Sequence, residues 1–343
     1  MELFEKRMEM EASHTLNVFG EYDRYLKKLE KVFQVAIVDR DGAVHIKGLR
    51  KNAEQAAEVL NQLLTLSRRG NRIEEQNVDY AIEMSMENNT DALLEIDGDL
   101  ICHTVSGKPI KPKTMGQKQY VDAIRRNMIV FGMGPAGTGK TYLAMAMAIT
   151  AFKNNEVERI ILTRPAIEAG EKLGFLPGDL QSKVDPYLRP LYDALYQIMG
   201  AETFLKNMEK GLIEVAPLAY MRGRTLDNAY IILDEAQNTT PAQMKMFLTR
   251  IGFGSKVVVT GDASQKDLMP GTASGLDVAV KVLSGLEDIA LCSLTSRDVV
   301  RHPLVQKIVK AYETYENREL ARQKAGRLRE ERAARRKNRS KYQ

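Results

Sequence analysis

The eight-residue stretch GPAGTGKT, from Gly134 to Thr141, constrains the fold of this 343-residue chain more than any other segment. It follows the apolar run MIVF and precedes YLAMAMAITAF, so a strand is expected before the loop and a helix after it. Glycines let the backbone curl until its N–H groups point at an anion, and the helix N-terminus adds its positive dipole end. The alternative is a purely structural glycine turn. The residues predicted to hold nucleotide phosphates are Gly134, Pro135, Ala136, Gly137, Thr138, Gly139, Lys140 and Thr141.

Two further apolar runs end in polar side chains that suit phosphate chemistry. YIILDEAQN delivers Asp234 and Glu235 to the carboxyl edge of a sheet, where one carboxylate can hold Mg²⁺ and the other can accept a proton from attacking water. A solvated strand end is the alternative, which the nearby phosphate loop disfavours. VVVTGDASQ ends in Asp262 and Gln265, and the carboxamide of Gln265 can sense a γ-phosphate. We therefore predict nucleotide hydrolysis with Mg²⁺ bound by Asp234 and by the hydroxyl of Thr141.

Six short apolar runs, which alternate with helical stretches, indicate the fold class. They lack the strict alternation of half-exposed strands, so each strand is expected to be buried on both faces. The prediction is an α/β fold in which helices cover a parallel sheet, with the phosphate loop at the carboxyl end of one strand, where such folds bind ligands. The six runs are MIVFG, RIILTRP, IEVAPLAY, YIILDEA, KVVVTGD and IALCSLT.

A different pattern precedes this region. LKKLEKVFQVAIVDRDGAVHIKG predicts a helix and two alternating strands, 33–38 and 43–47, joined by a DRDG turn. KNAEQAAEVLNQLLTL and NVDYAIEMSMENN predict two further helices, and SGKPIKPKTMGQ is typical of a linker. The predicted organisation is a small α+β module at 1–106, a P-loop domain at 107–316 and a basic tail at 317–343.

The net charge of +5 is concentrated at one end. Residues 317–343 hold eleven Lys or Arg and three Glu, which leaves −3 on the rest. With few apolar side chains to bury, this tail is expected to be a frayed helix or disordered arm that attracts nucleic-acid phosphates; a solubility tail is the alternative. Two isolated cysteines and four scattered histidines give no metal-site spacing. Neither a signal peptide nor an apolar run of about 18 residues is found, so we expect a cytoplasmic protein.

The order GPAGTGKT, DEAQ and GDASQ resembles that of superfamily-one helicases. LTRPAIEAGEKLGFLPGDLQSKVDPYLRPLYDAL and SRDVVRHPLVQ resemble the PhoH-like P-loop ATPases more closely, over roughly 111–315. The resemblance implies a RecA-like core that hydrolyses ATP with Mg²⁺ in RNA metabolism. The N-terminal module is similar to the KH-like region of the long members of this family, although the sequence shows no GxxG clamp loop between its elements.

The resemblance also assigns roles to individual residues. Lys140 and Thr141 match the phosphate loop, Asp234 and Glu235 match the metal and base positions, and Gln265 matches the sensor. Gln117 lies where helicase relatives read adenine through the donor and acceptor of a carboxamide; a solvated glutamine at a helix start is the alternative. We predict that a nucleic-acid channel is lined by Arg164, Lys172, Lys183 and Arg189. The alternative is a salt-bridged surface that these residues form with Glu168, Glu171, Asp179 and Asp185.

Phosphoryl transfer gains from an arginine placed on the developing charge, which helicases usually take from a second lobe. Only 78 residues follow Gln265, whereas such a lobe needs about 150. We therefore expect the arginine to fold back in cis or to come from a neighbouring subunit of a homo-oligomeric ring, for which the resemblance favours a hexamer. Arg301 is the candidate in trans and Arg297 the candidate anchor in cis, with an Arg301–Asp298 salt bridge as the alternative.

Three functions are compatible with these features. An RNA-stimulated, helicase-like ATPase is favoured. The second is an RNA-binding adaptor whose ATP state controls its grip on a ribonuclease or the ribosome, without unwinding. A P-loop kinase for small molecules is disfavoured, because the acidic pair and the sensor suit attack by water better than attack by an acceptor substrate.

Deleting residues 317–343 tests the role of the basic tail. If the tail binds RNA phosphates, the slope of log affinity against log salt should flatten by about 0.7 for each phosphate of a single strand that is no longer neutralised. Fluorescence anisotropy of a labelled single-stranded RNA over a salt series measures this slope. An unchanged slope would support the solubility role instead.

Overall fold

The structure, a computed structural model, describes residues 4–87, 92–165 and 180–300, with a few positions between 304 and 318. It contains two compact units, Met1–Val299 and Val300–Gln343. The six-stranded and the three-stranded sheets, each packed against hydrophobic side chains, belong to the first unit. The proposed boundary near residue 107 stays a prediction, and the basic tail from residue 319 onward lies outside the described residues.

A six-stranded, fully parallel sheet forms the centre of the first unit, in the order β11-β6-β10-β9-β7-β8. It confirms the predicted α/β class and all six predicted strands. All five side chains of AYIIL in β9 are buried, as expected for a strand covered on both faces. The strands are β6 (Ile129–Met133), β7 (Arg159–Arg164), β8 (Ile213–Pro217), β9 (Ala229–Leu233), β10 (Lys256–Gly261) and β11 (Ile289–Ser293).

Alternate residues of these strands enter two separate hydrophobic clusters. Val130 packs with the helices of one face and Phe131 with those of the other. One face is covered by α6 (Met115–Arg126), α7 (Lys140–Lys153), α8 (Leu180–Met199) and α9 (Ala201–Glu209). The opposite face is covered by α10 (Pro241–Leu248) and α11 (Gly275–Leu283). Among the described residues, no helix is long and apolar enough to span a bilayer.

The N-terminal part is a three-stranded antiparallel sheet in the order β1-β3-β2, with helices packed on it around a cluster of its own. The predicted helices and both strands are present, but the first strand is shifted from 33–38 to Ala36–Arg40, because Phe33 ends a helix and Gln34 caps it in the left-handed conformation. The structure adds a first strand and helix in the charged stretch before residue 20. The elements are β1 (Phe4–Glu9), α1 (Ala12–Phe19), α2 (Arg24–Phe33), β2 (Ala36–Arg40), β3 (Ala43–Gly48), α3 (Arg50–Arg68), α4 (Glu75–Met86) and α5 (Ala92–Asp97).

The short connection between α1 and α2 has the sequence GEYD, from Gly20 to Asp23. Its glycine has a φ of +74°, and an added Cβ would lie 2.6 Å from the ring of Tyr25. The other three residues include two carboxylates, Glu21 and Asp23, which disfavour a nucleic-acid phosphate. KH domains clamp a nucleic-acid backbone with a GxxG loop. This helix–helix connection has no second glycine and carries two negative charges, so it differs from that loop.

The segment predicted as a linker is more ordered than expected. It contains β5 (Pro109–Ile110), which pairs with β4 (Cys102–His103), and its last residues begin α6. The hydroxyl of Thr114 caps α6 by accepting a hydrogen bond from the backbone N–H of Gln117. Proline and lysine content indicated a linker, and the strand pair and the cap show that parts of this segment form regular structure.

The middle of β6 tests how tightly the sheet and α6 pack. A Cβ added to Gly132 would lie 2.6 Å from the ring of the fully buried Tyr120. We expect Gly132→Ala to lower the free energy of unfolding by about 1–3 kcal/mol, as for other overpacked cores. Gly98→Ala is the matched control, because its nearest neighbours would lie at an ordinary 3.8 Å. Equal urea midpoints for the two variants would contradict this packing.

Candidate functional site

The glycine-rich loop lies between β6 and α7, as predicted. Gly134 has a φ of +151°, and an added Cβ would lie 2.4 Å from the carbonyl oxygen of Leu294, so only glycine fits this close approach. Gly139 has a φ of +75° and immediately precedes α7, whose first residue is Lys140. The Lys140 ammonium curls over the loop and donates hydrogen bonds to the carbonyls of Gly134 (2.6 Å) and Pro135 (2.9 Å). The loop thus carries a positive charge at the N-terminus of a helix, where an anion binds favourably.

The first of the two predicted acids, Asp234, is buried beside the start of α7. Its Oδ1 accepts hydrogen bonds from the Thr141 hydroxyl at 2.7 Å and from the Thr260 hydroxyl at 2.6 Å. Thr260 belongs to β10, the neighbour of β9 in the sheet. The side chains at the ends of two strands and at the start of one helix therefore meet at a single carboxylate oxygen.

The second acid, Glu235, is held on both of its carboxylate oxygens. Its Oε1 lies 2.8 Å from Nη2 of Arg164, and its Oε2 accepts a hydrogen bond of 2.5 Å from the carboxamide of Gln237. The Nε of Arg164 also lies 3.2 Å from Oδ2 of Asp234. One guanidinium therefore bridges the two adjacent carboxylates.

The third strand end, that of β10, completes the cavity. The backbone N–H of Asp262 donates to Oε1 of Gln237 at 3.0 Å, which ties this strand end to the acidic pair. Asp262 is buried, and its Oδ1 accepts hydrogen bonds from Ser264. The resulting cavity has a volume of about 290 Å³. It is lined by Ala136, Gly137, Gly139, Lys140, Thr141, Tyr142, Asp234, Glu235, Gly261, Asp262 and Gln265.

Gln117 lies beside the phosphate loop, buried at the first turn of α6. Its Nε2 donates to the carbonyls of Thr138 (3.1 Å) and Asp298 (3.3 Å), and its Oε1 accepts from the backbone N–H of Lys113 at 2.8 Å. These contacts tie the glutamine to the phosphate loop at Thr138 and to the backbone of Asp298. An adenine would have to replace one of these bonds, so the adenine-reading role stays a prediction.

Two buried groups support this corner of the site. The carboxylate of Asp298 accepts hydrogen bonds from the Thr114 hydroxyl at 2.6 Å and from the backbone N–H of Thr295 at 2.8 Å. The Tyr120 hydroxyl donates to the carbonyl of Lys140 at 3.3 Å, and complete burial of the phenol raises the pKa of Tyr120 well above its ordinary value. The phenol therefore stays a neutral donor, and its hydrogen bond to the carbonyl of Lys140 holds the first residue of α7.

The structure separates Arg297 from the cavity. Its Nε lies 3.1 Å from Oε1 of Glu83, its guanidinium also contacts Glu87, and both partners lie at the end of α4 in the N-terminal part. Arg297 is therefore paired with that helix, and its role as an anchor in cis stays a prediction. Arg301 lies outside the described residues, as do Lys172 and the side chain of Lys183, whereas Arg189 is exposed on α8.

The donor set at the acidic pair fits Mg²⁺. Asp234 and Thr141 offer hard oxygen ligands next to a loop built for phosphates, and Mg²⁺ is usually bound by one or two carboxylates together with substrate phosphates. The described residues contain no cluster of three or more His, Cys, Asp or Glu that could hold a metal unaided. Because Mg²⁺ commonly takes substrate phosphates as ligands, a bound nucleotide would supply part of its coordination here.

A glycine loop with a lysine, followed by a threonine that donates a hydrogen bond to an aspartate at the end of another strand of the same parallel sheet, defines a P-loop nucleotide-binding protein. The sequence model of the PhoH family, described as PhoH-like protein, matches residues 109–313. The PhoH-like protein of Bacillus subtilis is 55% identical over 298 residues, which cover 87% of this chain and 93% of that protein. The chain belongs to the PhoH-like family.

The chain is also similar to other PhoH-like proteins and to solved structures. The PhoH-like protein of Mycobacterium tuberculosis H37Rv is 53% identical over 302 residues, covering 88% of this chain and 85% of that protein. Among solved structures, the Sulfolobus solfataricus SWI2/SNF2 ATPase core domain aligns with a TM-score of 0.31 and 16% identity, over 49% of this chain and 32% of that one.

Three further residues complete the site: sequence reasoning missed Gln237 and Thr260, and it gave Arg164 a different role. Each lies at or just beyond the carboxyl end of a strand of the sheet. The rule that located Asp234 therefore applies to them as well. Arg164 was instead interpreted from the charges in the segment that follows it, and that interpretation gave no weight to its position at the end of β7.

Gln117→Ala tests whether this glutamine reads the base. If it does, ATP affinity should fall about tenfold, as for the loss of one good hydrogen bond, while GTP affinity changes less. Titrations with fluorescent ATP and GTP analogues measure both. A parallel loss for the two nucleotides would show that Gln117 supports only the loop. Gln243→Ala is the matched control, since Gln243 also accepts from a backbone N–H at a helix start, in α10.

Proposed function

We propose that this chain is a Mg²⁺-dependent ATP hydrolase. The observation that carries the proposal is the convergence of the Lys140 loop, the Thr141–Asp234 hydrogen bond and Glu235 on one cavity. Lys140 and the loop N–H groups would hold the phosphates, and Thr141 with Asp234 would hold Mg²⁺, which polarises the phosphate oxygens. Glu235 would take the proton of the attacking water, and Gln265, which also lines the cavity, would sense the γ-phosphate.

The experiment compares two substitutions that should separate binding from hydrolysis. Lys140→Ala should lose ATP binding and turnover together, because the phosphate charge is left without its main counter-ion. Glu235→Gln should still bind ATP, yet its kcat should fall by about 10²–10⁴, the usual contribution of a general base. Phosphate release and equilibrium binding of a fluorescent ATP analogue give the two readouts.

Glu214→Gln is the matched control for Glu235→Gln. Glu214 lies in β8, is equally exposed at 34%, and is also paired with an arginine, Arg224. Its substitution should leave kcat unchanged. If Glu235→Gln turns over ATP at the parent rate, the base assigned here is wrong; if the parent chain hydrolyses no ATP, the proposed activity itself is wrong.

For the cellular role, we propose action on RNA, on the basis of the family resemblance and the basic tail. Helicase-like work is the first candidate, and an ATP-switched adaptor for a ribonuclease or the ribosome is the second. Stimulation of turnover by RNA, followed by a strand-displacement assay, separates them. Stimulation with displacement supports the helicase-like role, and stimulation without displacement supports the adaptor.

Assembly into a homo-oligomeric ring with Arg301 acting across the interface remains a proposal from the same resemblance. It implies that a purified sample has a larger mass than one 38.6 kDa chain. Light scattering with and without ATP measures that mass directly.

A further inference from the structure

Arg164 lies on the far side of the acidic pair from the nucleotide cavity. It lines a second, smaller cavity of about 190 Å³, together with Pro165, Gln237, Asn238 and Asp267. Glu235 and Gln265 line both cavities and so form part of the wall between them. The guanidinium therefore contacts Glu235 from the side of the second cavity, whereas a nucleotide would approach Glu235 from the first cavity.

From this arrangement we infer that Arg164 is a positioning residue for the Glu235 carboxylate in the proposed hydrolysis. The inference rests on the proposed function, because it assigns a support to the base of that reaction. It also names a charged residue in cis that acts at the site through Glu235, in contrast to an arginine that contacts the phosphates themselves.

The backbone and side-chain conformation of Glu235 explains why its carboxylate needs a support. Glu235 has a φ of +54°, in the left-handed region that residues other than glycine rarely adopt. Its side chain has three rotatable bonds, so its carboxylate would otherwise sample many positions. The two hydrogen-bonded supports, Arg164 on Oε1 and Gln237 on Oε2, fix both oxygens.

Electrostatics favour the same role. Asp234 and Glu235 are consecutive, and two carboxylates that face one site repel each other. The guanidinium fork meets both, with Nε at 3.2 Å from Asp234 and Nη2 at 2.8 Å from Glu235. Only 17% of the Arg164 side chain is exposed, so solvent screens this pairing less than it screens a surface salt bridge. A lysine has a single ammonium group and cannot reproduce the planar fork.

The test is a double-mutant cycle on kcat. Arg164→Gln should lower kcat about 10- to 100-fold, the usual cost of a misplaced catalytic group, without a matching loss of ATP affinity or of its Mg²⁺ dependence. Because Arg164 acts through Glu235, the double variant Arg164→Gln/Glu235→Gln should be no slower than Glu235→Gln alone. Arg164→Lys should recover little of the lost rate.

Each opposite result would overturn the inference. Multiplicative losses in the double variant would mean that Arg164 acts independently of Glu235, and full rescue by lysine would mean that charge alone suffices. Loss of Mg²⁺-dependent ATP binding in Arg164→Gln would place its action on the metal ligand Asp234. An unchanged kcat would overturn the inference while the ATPase assignment stands, whereas a parent chain without turnover would overturn both.

The matched control is Arg224→Gln. Arg224 makes a two-point ion pair with Glu214, with N–O distances of 2.6 and 2.7 Å, at the edge strand β8. Its loss should change thermal stability by an amount comparable to the change in Arg164→Gln and should leave kcat at the parent value. This comparison separates loss of an ion pair in general from loss of positioning at Glu235.

Discussion

The hydrogen bond from the Thr141 hydroxyl to Asp234 is the contact on which the rest of the site depends. It joins the first turn of the helix after the phosphate loop to the end of β9, although the two residues are 93 positions apart in the chain. The contact requires the parallel register of β6, β10 and β9, in which Gly132 lies opposite Thr260 and Leu233 opposite Val259. A one-residue slip of either strand pair would turn the opposing side chains to the other face of the sheet.

That register also accounts for the layout of charge. Because parallel strands end at the same edge, β7, β9 and β10 deliver Arg164, Asp234 and Asp262 to one region. Lys140 and Arg164 supply two positive charges near several carboxylates. Lys140 lines the nucleotide cavity, and Arg164 lines the second cavity on the other side of Glu235. The left-handed backbone of Glu235 is the kind of strain that persists at functional sites when neighbouring contacts over-determine it.

The fold of the larger sheet could be predicted from the sequence because its strands are short apolar runs that end in distinctive residues. The glycine loop and the DEAQ segment each follow one of these apolar runs, so Lys140, Thr141 and Asp234 could be predicted as site residues in the same way. Arg164 could not be assigned, because its partners lie about 70 positions away and only the β7–β9 pairing brings them together. The first strand, β1, was missed because only two of its six residues are apolar, and its pairing with β3 gives it order. Strand formation there follows from tertiary contacts more than from local pattern.

The proposed chemistry depends on a nucleotide whose binding is completed by Mg²⁺ at Thr141 and Asp234. Calorimetric titration of a non-hydrolysable ATP analogue into the purified chain, with Mg²⁺ and then with EDTA, tests this most directly. We predict saturable binding that Mg²⁺ strengthens, and loss of that gain in Asp234→Asn while binding in EDTA persists. Absence of binding, or binding that is equal with Mg²⁺ and with EDTA, would contradict the assignment.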